Sequence, residues 1–453
     1  MSDYIRLKQG LDLPIKGAAA LEVTKTVEPD LVAVKPSDWR GVIPRLLVRE
    51  GDAVKAGTPL FSDKQNPDIV FCSPVSGTVD AIVRGDKRKL LAVTVKADGK
   101  KESLKFDAPE VSKANRNAIR EILLKSGLWA CIKQRPYGTM ADPQATPKAV
   151  FISGFNTAPL GADLDFVLAG ELSCIQAGID ALAKLTDGGV HLSLNRENCG
   201  TTEFRNLKNV ITHVFAGAHP AGNVGVQINH ISPINKGETV WTVDLQGVAA
   251  IGRLFQSGVY DTAKTIAVAG PAVKNPSYVK VPQGVAISAL AEYFDNSEGD
   301  IRIISGDVLS GRTVGADGFL GFYDNLVSVV PEGNYHEMFG WVKPFRCKKF
   351  SFSRTYWSWL CGRGRKYQMD TNTNGGQRAF FVSDVYGKVL PMDIYPVYLL
   401  KAILAGDIEK MEQLGIYEVI EEDLALCEYV CPSKIEIQNI VGKGIELMLK
   451  EMA

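Results

Sequence analysis

Two cysteines near the end of the chain have the spacing of half a metal site. In ALCEYVCPSK (425–434), Cys427 and Cys431 are separated by three residues and Pro432 follows directly. Bacterial iron–sulfur runs read C-x2-C-x2-C-x3-C-P, because four thiolates must converge on one small inorganic core while the proline turns the chain away. Counted backwards from Cys427, the other two ligands fall on Leu424 and Glu421, and neither supplies a thiolate. Two thiolates do not hold a four-iron cluster. The stretch therefore reads as the outline of a cluster loop without its metal, with the cysteines as a buried structural pair. The five histidines, at 191, 213, 219, 230 and 336, show neither H-x3-H nor H-E-x-x-H spacing, so metal ligation is not expected of them.

Three further stretches carry side chains that could do chemistry. HPAGNVG (219–225) is punctuated by glycine after a predicted strand, the context of a phosphate loop, but it lacks the spacing of either phosphate motif. It reads as a tight strand exit, with a ligand cleft or subunit contact as the alternative. Lys64, in SDKQNPDIVFCSP, sits near the place where lipoyl domains carry their acceptor lysine, although turns carry solvated lysines freely. The aromatic and basic run from Trp341 to Tyr367 combines side chains that hold phosphates and stack on bases. Aromatic and arginine side chains also anchor protein interfaces, and that reading, or ordinary core packing, suits a neutral chain better.

The neutrality is complete: 51 Lys and Arg against 51 Asp and Glu. No net field recruits nucleic acid or an anionic membrane surface. A chain of 453 residues is too long for one hydrophobic core and predicts roughly three or four units. Eight scattered cysteines lack the density of a secreted disulfide framework, which points to a reducing cytoplasm. The opening MSDYIRLKQGLDLPIKG alternates charges where a secretory signal needs an apolar core. No later stretch reaches the roughly 18 consecutive apolar residues of a membrane span.

The elements that must position these residues follow from periodicity. Residues 31–98 alternate apolar and polar positions between glycine turns at Gly51, Gly57 and Gly77, which predicts a small β-sandwich with the phrases of biotinyl and lipoyl carrier domains. ANRNAIREILLKSGLWA (114–130) spaces Ile119, Ile122, Leu123 and Ser126 on one helical face. KAVFISGF, VHLSLN and NVITHVFAGA read as strands alternating with LAGELSCIQAGIDALAKL as a helix, an α/β unit. Residues 264–330 return to β character, and PVYLLKAILAGDIEKMEQLG is helical. The last segment sets Ile437, Ile440, Val441, Ile445 and Met448 on one face of a helix that Pro432 is expected to start. The fold class is α+β multidomain: a carrier-like β-sandwich (barrel-sandwich hybrid) with an N-terminal segment over 1–105, a Rossmann-like α/β domain over 106–258, a β-grasp module of the soluble-ligand-binding type over 259–335, and a C-terminal helical domain over 336–453.

That order of parts, with the phrases GLDLPIKG, SGLWACIKQRPYGTM, HPAGNVG, GPAVKNP, ISGDVLSG, FGW and LALCEYVCP, resembles the A subunits of sodium-translocating NADH:quinone reductases across essentially the whole chain. It is similar in part to the flavoprotein subunit of respiratory complex I and the C subunit of the Rnf complex. Those flavoprotein relatives bind FMN and NADH on a loop reading S-G-L-R-G-R-G-G-A-G-F-P, whose glycines let the backbone approach a phosphate. Here the four glycines are replaced by Ala130, Ile132, Lys133 and Arg135. The resemblance thus implies a peripheral subunit on the cytoplasmic face of the bacterial inner membrane, held by membrane-integral partner subunits. It implies NADH, flavins and iron centres on those partners, none on this chain, and support of ubiquinone reduction coupled to sodium export. The isolated chain is expected to have no catalytic activity and no nucleic-acid partner. Trp129, Arg135 and Tyr137 are the candidates for quinone contact, because a quinone ring needs an apolar wall and one or two donors at its edge. The alternative function is a biotinyl- or lipoyl-type carrier with Lys64 as its attachment site.

Overall fold

A computed structural model describes residues 3–297, 299–340, 346–360 and 364–452, so Trp341 and Cys361 lie outside the described residues. The alternating stretch folds as two facing sheets. One runs Leu31–Val34, Leu90–Ala97, Gly77–Arg84, Ala53–Val54, and the other Pro44–Leu46, Pro59–Asp63, Val70–Cys72. Val32, Leu60, Phe61, Phe71, Val93 and Val95 fill the space between them. Gly51 and Gly57 take φ of +88° and +89°, as the turn reading expected.

The α/β unit holds a sheet in the order Asp3–Arg6, Ile211–Ala216, Val190–Asn195, Val150–Ser153, Val240–Thr242, Lys133–Arg135, Thr139–Met140. Its first five strands run parallel and the last two form an antiparallel hairpin at the edge. Asp3–Arg6 therefore belongs to this sheet. Val23–Thr26 leaves the N-terminal segment too, pairing with Ser277–Val281 at the edge of the third sheet. That sheet runs Arg312–Val314, Ile301–Ser305, Leu326–Pro331, Lys264–Ala269, Ser277–Val281, Val23–Thr26.

Between those two excursions, GLDLPIKG is held by close backbone approach. A Cβ on Gly10 would stand 2.6 Å from the carbonyl oxygen of His219, and one on Gly17 would stand 2.2 Å from that of Gly270. Only glycine lets the segment lie against both HPAGNVG and GPAVKNP. Three of the separate phrases are thus one structural seam.

Helix Arg116–Ser126 buries Ile119, Ile122, Leu123 and Ser126, the face that the spacing predicts, and Asn115 caps it by accepting from the Ala118 N–H at 2.8 Å. The helical end comprises Pro396–Ala405, Ile408–Gln413, Ala425–Val430 and Ile437–Met452. Ile437, Val441, Ile445 and Met448 are buried, with Ile440 packed beside them. The helix starts only at Ile437, so Pro432 closes the preceding helix instead of opening this one. Cys427 and Cys431 are buried free thiols, and the Cys431 sulfur lies 3.0 Å from the Tyr386 hydroxyl. Burial pushes the Cys427 thiol up, which suits a packed pair and opposes ligation as a thiolate. Among the described residues no helix is long and apolar enough to cross a membrane, and no group of three or more His, Cys, Asp or Glu is placed to hold a metal.

Candidate functional site

The stretch that stands in place of a flavin loop begins where Gly127, at φ +78°, ends helix Arg116–Ser126. Leu128–Cys131 then makes a single tight turn whose four side chains are all buried. The Trp129 indole N–H donates to the Ala141 carbonyl at 2.8 Å, and its ring meets Trp241 edge-on at 5.4 Å. The Ala130 carbonyl accepts from the Trp39 indole of the β-sandwich at 3.1 Å and from the Tyr323 hydroxyl beside the third sheet at 2.7 Å. The Lys133 ammonium lies over the Tyr323 ring, 3.5 Å from its centre. Three units therefore meet on a turn made of side chains, where a phosphate cradle needs bare amides.

Arg135 carries the seam to the fourth unit. It is 2 % exposed, and its guanidinium donates to Asp423 Oδ2 at 2.6 Å and Glu422 Oε1 at 2.8 Å. Arg40 of the β-sandwich works alongside, donating to the Tyr137 carbonyl at 2.7 Å and pairing with Glu421. The residue at the last lost glycine thus reaches EEDL (421–424), the segment whose ends stand where two cluster ligands are missing. A Cβ on Gly225 would lie 2.3 Å from Asp423 Oδ1 and 2.4 Å from Arg135 Nη1, so HPAGNVG ends in glycine because the ion pair fills the space above it. Gly225 lies in the first turn of helix Val224–Ile231, whose amide end favours a carboxylate. Burial drives the Asp423 carboxyl above the usual range and Glu422 pushes the same way, against the pull of Arg135.

The three candidate quinone residues face different neighbours. Trp129 turns to the sheet, while Arg135 and Tyr137 turn to the helical end. Donors of Trp129 and Arg135 are committed to the protein acceptors just named. Tyr137 packs edge-on to Tyr417 at 6.1 Å, and its buried hydroxyl interacts with the Tyr417 hydroxyl, which itself donates to Glu412. Glu422 and Asp423, which complete the clamp, were missed by the sequence reading, though an arginine in place of a buried glycine already calls for a counter-charge.

His219 was read as part of a turn, and the structure gives it more. Its backbone N–H donates to Asp12 Oδ1 at 2.8 Å, and its ring Nδ1 lies 3.2 Å from Thr157 Oγ1. Burial lowers its affinity for a proton, while Asp307, Asp12 and Glu422 oppose that. GLDLPIKG, HPAGNVG, ISGDVLSG and the EEDL segment therefore converge near the carboxyl ends of the parallel strands, where open α/β sheets form their clefts.

A histidine pair sits elsewhere in the same sheet. His191 Nδ1 and His213 Nε2 are 2.9 Å apart, and Phe151 stacks on His191 at 4.7 Å. One proton between two nitrogens suffices, and burial, with His213 adding to it, lowers His191 to about 4. The folded chain thus keeps His191 neutral where the unfolded chain protonates it. Stability rises with pH wherever the unfolded state holds the extra proton, so this contribution is lost as pH falls from the ordinary histidine range toward 4. Replacing His191 by Phe is expected to flatten the urea-unfolding stability between pH 6.5 and pH 4, relative to the unmodified chain. A parallel pH dependence in both proteins would assign it elsewhere.

Comparison with known proteins gives this geometry its family. Residues 5–98 match the NqrA N-terminal barrel-sandwich hybrid domain, residues 114–260 the NqrA second alpha/beta domain, and residues 265–316 the NQRA C-terminal domain. The chain is 39% identical over 437 residues to the A subunit of the Na(+)-translocating NADH-quinone reductase of Yersinia pestis bv. Antiqua (strain Angola), covering 95% of this chain and 96% of that one. The chain belongs to the NqrA family. The corresponding protein of Neisseria meningitidis serogroup A (strain Z2491) is similar at 37% identity over 451 residues, 99% of this chain and 100% of that one. An NAD+-reducing [NiFe]-hydrogenase structure in the air-oxidized state aligns at a TM-score of 0.37 and 14% identity, over 76% of this chain and 62% of that chain. Within the NqrA architecture, Arg135 lies in the second alpha/beta domain, whereas Glu422 and Asp423 lie beyond the last matched residue. The clamp therefore ties the matched domains to the helical C-terminal region. A match across the whole chain also tells against the carrier alternative, which uses only the β-sandwich. Lys64 is exposed there, just after strand Pro59–Asp63, with its N–H bonded to the Ile43 carbonyl at 2.7 Å.

Proposed function

We propose that this NqrA-family chain is a peripheral subunit, held on the cytoplasmic face of the bacterial inner membrane by membrane-integral partner subunits, that supports ubiquinone reduction by NADH coupled to sodium export. In this reading its second domain is Rossmann-like and its third a β-grasp module. NADH, flavins and iron centres are carried by partner subunits, and this chain binds none of them. The observation that carries the reading is the Arg135–Asp423 contact. It joins the position of a lost phosphate-cradle glycine to the segment of two lost cluster ligands, so both redox positions have become one structural joint. An electron carrier cannot give up both and keep its path.

Of the three quinone candidates, Tyr137 carries that part of the proposal, since its phenol is the least committed, interacting with the Tyr417 hydroxyl and hydrogen-bonded to no carbonyl or carboxylate among the described residues, while Trp129 and Arg135 hold its loop from behind. Quinone carbonyls accept hydrogen bonds, so the phenol would serve as the donor.

The test has three arms. Removing the subunit from the assembled complex should abolish sodium-dependent quinone reduction while electron transfer from NADH to an artificial acceptor persists; undiminished quinone reduction would overturn the subunit role. The purified chain should be colourless, without stoichiometric flavin, iron or acid-labile sulfide. In the reconstituted complex Tyr137→Phe should raise the quinone KM with an unchanged melting temperature. An unchanged KM would move the quinone site to a partner subunit.

A further inference from the structure

Between Glu337 and Asp370 the chain carries eight lysines and arginines and no acidic residue, an imbalance hidden by its overall neutrality. The same segment exposes apolar side chains in two places. Met338 and Phe339 are 80 % and 63 % exposed in the turn before Gly340, and Trp357, Trp359 and Leu360 are 44 %, 51 % and 60 % exposed in the short turn Trp357–Leu360. Arg346 binds the two places together. Its Nη1 donates to the Gly340 carbonyl at 3.1 Å and to the Tyr356 hydroxyl at 3.2 Å, while Glu337 answers its charge. The two exposed places are therefore tied to one arginine, and we treat them together as one patch.

Cations border it. The Arg354 guanidinium lies over the Trp359 ring at 5.5 Å and that of Arg365 over Tyr367 at 5.8 Å. Neither they nor Lys348 and Lys366 pair with a carboxylate among the described residues. Exposed Trp, Leu, Phe and Met set among unpaired cations are what an interfacial membrane segment presents: rings and aliphatic groups enter the headgroup layer while Lys and Arg bind phosphates.

We infer that this patch seats directly on an anionic lipid bilayer through its phosphate headgroups. The charge favours lipid over a spanning protein, because cytoplasmic loops of membrane proteins carry an excess of Lys and Arg and would repel a patch of the same sign. The inference deepens the proposed peripheral role and rests on it only for the identity of the membrane. It adds a contact that partner subunits do not supply.

The experiment uses the full chain alone with sedimenting vesicles, either phosphatidylcholine only or phosphatidylcholine with one third phosphatidylglycerol. The chain should bind the anionic vesicles, weaken as salt rises, and leave the neutral ones unbound. Lys348→Glu with Lys366→Glu should weaken binding by at least about fivefold per residue. Trp359→Ser with Leu360→Ser should weaken it with the salt dependence retained. All four side chains are outside the buried core, and circular dichroism checks that each variant is folded. Failure of the unmodified chain to bind anionic vesicles, equal binding to neutral ones, or unchanged binding by both variants overturns the inference. So does binding that appears only when membrane-integral partner subunits are present in the vesicles, which would make the patch a protein contact. Because these vesicles hold no partner subunit, the outcome is independent of the subunit-removal experiment.

Discussion

Arg135→Ala is expected to destabilise the chain by about 3–5 kcal/mol at neutral pH, the cost of leaving a buried charge without its partner. The effect belongs to Asp423, which is 1 % exposed and whose Oδ1 already lacks a hydrogen-bond partner. Glu422, the other carboxylate on the guanidinium, is 40% exposed, so Glu422→Ala should cost less than about 1 kcal/mol. Replacing both members of the buried pair, Arg135→Met with Asp423→Leu, should recover most of the loss, because apolar groups of similar size need no counter-charge. Urea unfolding of the four proteins separates these outcomes.

The same pair predicts a pH dependence whose sign follows from linkage. With Arg135 gone, burial and Glu422 raise the Asp423 pKa, and only the weaker pull of the Ile420 N–H opposes them. Its folded-state value then stands above the unfolded value of about 4, so the folded state holds a proton that the unfolded state releases. Stability of the variant therefore falls as pH rises through that window, by up to about 1.4 kcal/mol per pH unit. The deficit of Arg135→Ala relative to the unmodified chain should shrink between pH 7 and pH 5. A deficit equal at both values would mean that Asp423 is not the group left charged.

Local periodicity made some elements legible and hid others. Helix Arg116–Ser126 could be read because the residues of its buried face recur within a few turns of one another. The face of Ile437–Met452 could be read for the same reason, whereas its start was misplaced by giving Pro432 a helix-opening role that it does not have. Asp3–Arg6 could not be assigned to the α/β sheet, since its partners are His213–Ala216 and strand pairing leaves no mark on the intervening chain. The clamp was half visible. Bulky residues in place of glycines marked the loop as unlike a phosphate cradle, but the acceptor for Arg135 lies 288 positions away, among carboxylates that read as ordinary surface. Sequence could say that neither stretch keeps the residues of its motif. It could not say that they had been joined.

Trp129 decides whether the replaced loop is a packing device or a binding wall. Its side chain is fully buried, packs edge-on against Trp241, and fixes the hairpin through the Ala141 carbonyl. Trp129→Ala should cost about 3–5 kcal/mol, as expected for truncating a large core side chain that leaves a cavity. Trp129→Phe keeps a ring in that space and loses only the N–H, leaving the Ala141 carbonyl unpaired, so its cost should be about 1–3 kcal/mol. If packing is the role, the Phe variant assembles into the complex with an unchanged quinone KM. A Phe variant with near-normal stability and a raised KM would instead put the indole N–H at the quinone edge, requiring it to leave Ala141. Because the hydrogen bond and the edge-on contact both point into the protein, the loop's rigidity is the contribution Trp129 makes.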